Sequence, residues 1–193
     1  MSTPGEPPFR VLLPERQIVR RIRELARALQ DGMGSEPPCL VAVIEGARPL
    51  AAMLQRLLPG SLPLHEVAAS SYRGTASSGQ VSVVERAELP CRGRDVVLIE
   101  DIVDTGRTVA ALRAHFGAKG ARHCRVVTLL DKPDRRCTEV AIDHVGFTIP
   151  DEFVIGFGMD IDGRYRALPD IVIYDAEVER AFAGRSRSDP AGG

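Results

Sequence analysis

The amino-acid sequence predicts an α/β fold with a mainly parallel, twisted sheet flanked by helices. Three short runs have the length of strands and are apolar on both faces, as buried parallel strands are: CLVAVI (39–44), VVLI (96–99) and CRVVTLL (124–130). Stretches with a helical apolar period separate them, at about 48–58 and 107–118. This alternation of strand and helix is typical of parallel strands joined by crossover helices.

Both ends of the chain add elements to this core. The segment PERQIVRRIRELARALQDG places its apolar residues at helical spacing, with Pro14 suited to the helix start and Gly32 to its stop. Near the C-terminus, IDHVGFTIP, FVIGFG and IVIYD are short β-like pieces with few helical residues between them. We expect these pieces, together with FRVLL near the N-terminus, to finish the sheet and to build a small β-rich hood over its edge.

Length and composition limit the kinds of protein that this chain can be. Its 193 residues fit one domain at 9–183, between a loose N-terminal segment (1–8) and a disordered tail (184–193), with a hood formed by N-terminal residues and about 149–175. A formal net charge of −1 argues against a nucleic-acid partner, and no apolar run is long enough for a membrane span. The four cysteines are widely spaced, which argues against a zinc site or a disulfide framework. Because the N-terminus also lacks the pattern of a signal peptide, we expect a cytoplasmic protein.

An acidic loop lies where the middle apolar run meets the next helix, in VVLIEDIVDTGRTV. In α/β folds, ligands bind beyond the carboxyl ends of the parallel strands. The stretch DTGRT opens a helix whose N–H groups and dipole favour an anion such as phosphate, and Gly106 permits a close approach. The adjacent Glu100 and Asp101 could accept hydrogen bonds from vicinal hydroxyls or hold a hydrated Mg²⁺. A phosphate at one end and a diol at the other describe a ribose 5-phosphate. The alternative is a solvated acidic strand end at which Asp104 or Thr105 merely caps the helix.

This acidic loop closely resembles the 5-phosphoribosyl-1-pyrophosphate binding motif of the type I phosphoribosyltransferases. Three further stretches resemble the hypoxanthine-guanine phosphoribosyltransferases in particular: ASSYRGTASSGQV their mobile active-site loop, TLLDKPDRR their base-recognition loop, and IPDEFVIGFGMDIDGRYRALPDI their hood. The resemblance extends from about residue 9 to residue 175. It implies the type I phosphoribosyltransferase fold and a purine salvage enzyme that converts hypoxanthine and guanine, with 5-phosphoribosyl-1-pyrophosphate, to the nucleoside 5′-monophosphate and pyrophosphate. It also implies Mg²⁺ as cofactor and a homodimer or homotetramer.

The resemblance further implies roles for individual residues. Asp104 would act as general base at N7 of the purine, and Lys132 would donate a hydrogen bond to O6, which adenine lacks. Phe153 would stack on the purine face. The expected sets are, for the donor and its ribose, Glu100, Asp101, Asp104, Thr105, Gly106, Arg107 and Thr108; for pyrophosphate, Glu45, Gly46, Arg48 and Arg166; for the base, Lys132, Phe153 and Val154; for the metal, Glu100, Asp101 and Asp160; and for the lid, Ser71 and Tyr72.

One position departs from the family pattern. The loop after the first apolar run usually carries a lysine before its glycine, whereas this chain reads VIEGARP and has Glu45 there. Three explanations are open: a defective site, a metal-binding Glu45, or a side chain that points away while the N–H groups of Gly46 and Ala47 bind the phosphates. We favour the third and expect Arg48 to replace the missing positive charge. The non-proline cis peptide known in the family would fall between Ile44 and Glu45.

Other functions are also open at this point. A regulatory or ligand-binding protein with this fold would have weak or no catalysis, although the chain has no helix-turn-helix extension to support nucleic-acid binding. A related enzyme could instead prefer xanthine, guanine or a pyrimidine. Lys132 and Phe153 favour 6-oxopurines over pyrimidines, but they do not rank hypoxanthine, guanine and xanthine.

Overall fold

The computed structural model describes residues 7–34, 36–71 and 81–187. Within these ranges the strands are β1 (Arg10–Leu13), β2 (Cys39–Ile44), β3 (Leu64–Ser71), β4 (Val81–Glu85), β5 (Asp95–Val103), β6 (His123–Asp131), β7 (His144–Thr148), β8 (Val154–Ile155) and β9 (Ile171–Ile173). The helices are α1 (Glu15–Asp31), α2 (Arg48–Leu57), α3 (Arg107–Ala118) and α4 (Ala176–Arg187).

A six-stranded sheet in the order β4-β3-β2-β5-β6-β7 forms the centre of the molecule. All neighbours in it are parallel except β4, which pairs antiparallel with β3 at one edge. Helices α1 and α2 pack on one face, and α3 packs on the other. Strands covered on both faces are apolar on both faces, which explains the continuous apolar runs in the sequence. The predicted mainly parallel sheet flanked by helices is confirmed.

The hood is a second, smaller sheet of three antiparallel strands in the order β1-β9-β8. It has its own buried cluster, in which Phe9 packs with Ile155, Leu168 and Val172. The N-terminal and C-terminal pieces therefore combine into a hood as predicted. The piece IDHVGFTIP supplies β7, which finishes the main sheet beside β6 as expected.

The structure adds elements that the sequence pattern does not predict. Strands β3 and β4 form the antiparallel edge of the main sheet. Helix α4 begins after Asp175, whose carboxylate accepts hydrogen bonds from the backbone N–H groups of Glu177 (2.8 Å) and Val178 (3.2 Å). The helix extends to Arg187, so it enters the segment 184–193 that was predicted to be a disordered tail.

All four cysteines are free, and among the described residues no helix has both the length and the apolar character to cross a membrane.

Candidate active site

A cavity of about 420 Å³ opens where the carboxyl ends of β2, β5 and β6 meet, and residues of the hood contribute to its wall. It is lined by Val43, Ile44, Glu45, Gly46, Ala69, Glu100, Asp101, Ile102, Asp104, Thr108, Lys132, Phe153, Val154, Met159, Asp160 and Arg166. The parallel strands run in one direction, so the loops that follow them meet at one edge of the sheet. The loops singled out in the sequence thus contribute to one site.

Most of the residues predicted from the sequence line this cavity, and a few do not. Thr105, Gly106 and Arg107 form the turn that leads into α3 beside the cavity, and Arg48 is absent from the lining set in the described part of the chain. Ser71 is the last residue of β3, whereas Tyr72, the other predicted lid residue, lies outside the described residues. Sequence reasoning missed the apolar lining residues, which carry no chemical signal in the sequence: Val43, Ile44, Ala69, Ile102 and Met159.

In the acidic pair near the end of β5, Glu100 is buried and Asp101 is half-buried. Glu100 is only 4 % exposed, and burial together with the neighbouring charge of Asp101 raises the pKa of Glu100 well above its usual range. Burial also raises the pKa of Asp101 to about 6, although the backbone N–H of Ile102 donates to its carboxylate at 2.9 Å. Charged carboxylates are unfavourable in such surroundings unless a cation or hydrogen-bond donors join them. The pair is therefore suited to a ligand that brings hydroxyl groups or a metal ion.

The carboxylates at this site fit a magnesium ion that is shared with a phosphate ligand. Asp160 of the hood lines the same cavity as Glu100 and Asp101, and its carboxylate contacts Arg166 at 2.8 Å. Among the described residues no group of three or more His, Cys, Asp or Glu side chains could hold a metal by itself. Mg²⁺ is commonly bound by one or two carboxylates, with water and substrate phosphates completing the coordination. Such a set of ligands matches this site better than an all-protein cage would.

The turn before α3 presents backbone rather than side chains. Its N-cap residue Gly106 has φ +83°, and within the described residues α3 has no side-chain cap hydrogen bond. An added Cβ at Gly106 would lie 2.4 Å from the carbonyl oxygen of Thr138, so the position requires glycine. The Asp104 carboxylate pairs with Arg135, and the Thr105 hydroxyl accepts only one long hydrogen bond, from the N–H of Arg107 at 3.5 Å. The N-terminus of the helix can therefore still face an anion.

A loop after β6 supports this turn from outside. The backbone N–H groups of Cys137 and Thr138 donate to the carbonyl of Thr105 at 3.1 and 3.0 Å. The guanidinium of Arg136 donates to the carbonyl of Asp104 at 2.8 Å and also pairs with Asp131. Sequence reasoning selected this loop for the base but missed its role in holding the turn. The signal was the second arginine of DKPDRR, a loop that starts at the last residue of a strand.

The side chain of Asp104 faces a second arginine from the same loop. Nε of Arg135 lies 3.1 Å from a carboxylate oxygen of Asp104, and another guanidinium nitrogen lies 3.5 Å from Asp151. This contact orients the carboxylate at the cavity wall. Sequence reasoning did not identify Arg135 as a site residue.

Another part of the cavity lining combines a buried amine with an aromatic ring. Lys132 is 7 % exposed, its backbone N–H donates to the carbonyl of Val103 at 3.0 Å, and its Nζ is 3.9 Å from the carboxylate of Asp151. Phe153 is 54 % exposed at the cavity, whereas the adjacent Val154 is buried. A buried ammonium group beside an open aromatic face can bind a flat ligand that carries a carbonyl oxygen.

The loop after β2 approaches the acidic pair closely. The peptide bond between Ile44 and Glu45 is cis, as expected for this loop. An added Cβ at Gly46 would lie 1.8 Å from a carboxylate oxygen of Asp101, and one at Gly158 would lie 2.1 Å from the carbonyl oxygen of Gly46. Glycines thus allow the loop, the end of β5 and the hood to meet around one cavity.

The charges at this loop differ from the sequence expectation. Arg48 donates two hydrogen bonds to Glu66, at 2.8 and 3.0 Å, and also pairs with Glu45, so carboxylates already occupy its guanidinium. Arg86 lies 3.3 Å from Glu45 and 3.4 Å from Glu66. The carboxylate of Glu45 thus contacts both Arg48 and Arg86, although Glu45 itself is among the residues that line the cavity. The backbone N–H of Ala47, expected to bind phosphate, is instead used in a turn to the carbonyl of Val43 at 3.3 Å.

Comparisons with known proteins agree on one family. The family model of the phosphoribosyl transferase domain matches residues 11–162. The hypoxanthine-guanine phosphoribosyltransferase of Streptococcus thermophilus (strain CNRZ 1066) is 36 % identical over 170 residues, which cover 88 % of this chain and 94 % of that protein. The enzyme of the same name from Lactococcus lactis is 38 % identical over 170 residues, with coverage of 88 % and 92 %.

Solved structures show the same relationship. The crystal structure of a hypoxanthine-guanine phosphoribosyltransferase from Bacillus anthracis, with a HEPES molecule in the active site, matches with a TM-score of 0.81 at 34 % identity and covers 86 % of this chain and 98 % of that one. A hypoxanthine phosphoribosyltransferase from Staphylococcus aureus matches with a TM-score of 0.80 at 34 % identity, covering 87 % and 92 %. The sequence relationship and the fold therefore agree.

Proposed function

Because the chain belongs to the hypoxanthine-guanine phosphoribosyltransferase family, we propose that it transfers the 5-phosphoribosyl group of 5-phosphoribosyl-1-pyrophosphate to hypoxanthine and guanine. It is a purine salvage phosphoribosyltransferase. The observation that supports the finer assignment is one cavity that Glu100, Asp101 and Lys132 line together, with the turn at Gly106 beside it. The products would be the nucleoside 5′-monophosphate and pyrophosphate.

In this proposal the donor binds along the end of β5 and the start of α3. The N–H groups of the turn at Gly106, with the hydroxyl of Thr108, would hold the 5′-phosphate, and Glu100 and Asp101 would accept hydrogen bonds from the ribose hydroxyls. Glu100, Asp101 and Asp160 would hold Mg²⁺, which when bound supplies charge neutralisation and orientation for the leaving pyrophosphate. Arg166, which also lines the cavity, would contact the pyrophosphate.

The chemical step joins N9 of the purine to C1′ of the ribose as the bond from C1′ to the pyrophosphate oxygen breaks. The proton on N7 of the base must then leave, and Asp104 would accept it as general base. Arg135 would keep the Asp104 carboxylate in position at the cavity wall, since it contacts that carboxylate at 3.1 Å. Exclusion of water from the cationic ribose would contribute to the rate.

Base selectivity tests the assignment of Lys132. With donor and Mg²⁺, hypoxanthine and guanine should react, whereas kcat/KM for adenine should be lower by about 10⁴-fold, as expected for a site built to donate to a substrate oxygen. In Lys132→Met the hypoxanthine reaction should weaken and most of this discrimination should be lost. The measurement is kcat/KM for each base, with xanthine included. Comparable turnover of adenine and hypoxanthine by the parent protein would show that the base assignment is wrong. Reaction with no base would favour a ligand-binding protein without catalysis.

The two arginines predicted to bind pyrophosphate should behave differently. Arg166→Ala should raise the KM for the donor by about 10- to 100-fold, which corresponds to the loss of a hydrogen bond to a charged group. Arg48→Ala should change it by less than about threefold, because Arg48 is paired with Glu45 and Glu66 and exposed pairs contribute little. Steady-state kinetics with varied donor measure both effects. A larger increase in Arg48→Ala than in Arg166→Ala would restore the original expectation for Arg48.

We further propose that the protein forms a homo-oligomer and that it is located in the cytoplasm. The family resemblance supports a homodimer or homotetramer, which light scattering of the purified protein would test. Four free cysteines are compatible with the reducing cytoplasm.

A further inference from the structure

The C-terminal helix α4 lies beyond the part of the chain that the family model matches, which ends at residue 162. It nevertheless packs against the hood: Val178 contacts the small apolar cluster that contains Phe9 and Leu168. The helix therefore has an attachment to the element that carries the proposed base wall.

One acidic residue makes the polar part of this attachment. The Glu179 carboxylate accepts a hydrogen bond from the hydroxyl of Tyr174 at 2.7 Å and another from the hydroxyl of Tyr165, and it pairs with Arg164. Only 16 % of the Glu179 side chain is exposed. The hydrogen bonds from Tyr165 and Tyr174 lower the pKa of Glu179, so the carboxylate is charged and acts only as an acceptor near neutral pH.

The ring of Tyr174 in turn contacts Phe153. Their ring centroids are 5.7 Å apart with an interplanar angle of 73°, an edge-to-face arrangement. The backbone N–H of Tyr174 also donates to the carbonyl of Phe153 at 2.9 Å. Phe153 is 54 % exposed, so little else restrains its outer face. A continuous path of contacts therefore leads from α4 through Glu179 and Tyr174 to a ring at the cavity.

We propose that α4 positions the base site, with Glu179 fixing Tyr174 and the edge of Tyr174 fixing the Phe153 ring in the orientation that stacks on a purine. This inference rests on the proposed function, since it takes Phe153 as the stacking residue. Tyr174 and Glu179 are positioning residues, because they act through Phe153 and do not line the cavity in the described part of the chain. Their effect should therefore concern the base and not the donor.

The test is a kinetic separation of the two substrates. Tyr174→Leu should raise the KM for hypoxanthine by about 3- to 10-fold, the range for loss of an aromatic pair, with donor KM unchanged. Tyr174→Phe should raise it by about threefold, and Glu179→Leu, which also removes the contacts with Tyr165 and Arg164, by at least as much. The double variant should not exceed Glu179→Leu alone, because that change has already removed the hydrogen bond between Tyr174 and Glu179. Glu179→Gln, which keeps an acceptor, should have a smaller effect than Glu179→Leu.

Control variants distinguish a positioning role of Tyr174 and Glu179 from a folding defect. They also distinguish it from a wrong assignment of Phe153 as the stacking residue. Glu177→Gln, an exposed change in the first turn of the same helix, should leave the KM for hypoxanthine unaltered. If Tyr174→Leu does not fold, as judged by thermal unfolding, the milder Tyr174→Phe decides. Parallel increases in the KM for base and donor would indicate a general structural role and would overturn the inference. If Phe153→Leu raises the KM for hypoxanthine while the Tyr174 and Glu179 variants do not, only this inference fails. If Phe153→Leu has no effect, the base-site assignment and the inference both fail.

Discussion

Asp104→Ala should lower kcat by about 10²- to 10⁴-fold, as expected for the loss of a general base. The carboxylate lines the cavity, and Arg135 orients it from the base-recognition loop at 3.1 Å. Its removal leaves N7 of the purine without an acceptor for its proton. Because the chemical step should be affected more than binding, single-turnover kinetics with saturating base and donor give the sharpest measurement.

A second carboxylate in the neighbouring loop provides the matched control. Asp134→Ala removes the same chemical group from an exposed position and should leave kcat unchanged. The melting temperature of Asp104→Ala should stay close to that of the parent protein, because the Asp104 carboxylate pairs with Arg135 and such exposed pairs contribute little to stability. An unchanged single-turnover rate would refute the general-base role. A large loss of thermal stability would instead return Asp104 to the helix-capping role that the sequence left open.

Elements with a strong local pattern could be predicted from the sequence. The run CLVAVI coincides with β2, and Pro14 and Gly32 flank α1 as predicted. Strand β3 could not be predicted in the same way, because LHEVAASS mixes polar and small residues and has no clear period. It is held by pairing along β2, where Leu40 lies opposite Leu64, and this contact is not visible in a single segment of sequence.

The pairing of the short hood strands also could not be predicted from the sequence. Strand β8 has only two residues, and its pairing with β9 brings Val154 opposite Ile173. The pattern of β-like pieces predicts that a hood exists. The attachment of α4 to this hood depends on hydrogen bonds from Tyr165 and Tyr174 to Glu179, which the apolar pattern of the sequence does not show.

Site residues could be placed from the sequence where a motif specifies both the residue type and the loop that carries it. Glu100 and Asp101 follow a buried run, so their place at the edge of the sheet followed from the alternation of strand and helix. Partners of charged groups could not be predicted. The sequence suggested Arg48 for pyrophosphate because it is close in sequence to Glu45, but Glu66 lies on the neighbouring strand and accepts two hydrogen bonds from that guanidinium.

Gly46→Ala should lower kcat/KM for the donor by about 100-fold. An added Cβ would lie 1.8 Å from a carboxylate oxygen of Asp101, far inside van der Waals contact, so the loop or the carboxylate must move. Displacement by about 1 Å of a group that positions substrate can cost about 10²-fold in rate. The same crowding should lower the free energy of unfolding by about 1–3 kcal/mol, the usual range for overpacking. Donor kinetics and thermal unfolding measure the two effects.

The reason for this loss can be isolated, because φ at Gly46 is not in the left-handed region and alanine meets no backbone strain there. Gly117→Ala is the matched control: nothing lies within 4 Å of an added Cβ at this position in α3, so activity should be unchanged. In an Asp101→Ala background, where the space is free, Gly46→Ala should cause little additional loss of kcat/KM. Additive losses in the double variant would show that the effect of Gly46→Ala does not pass through Asp101. The close approach of the two residues would then not be what shapes the donor site.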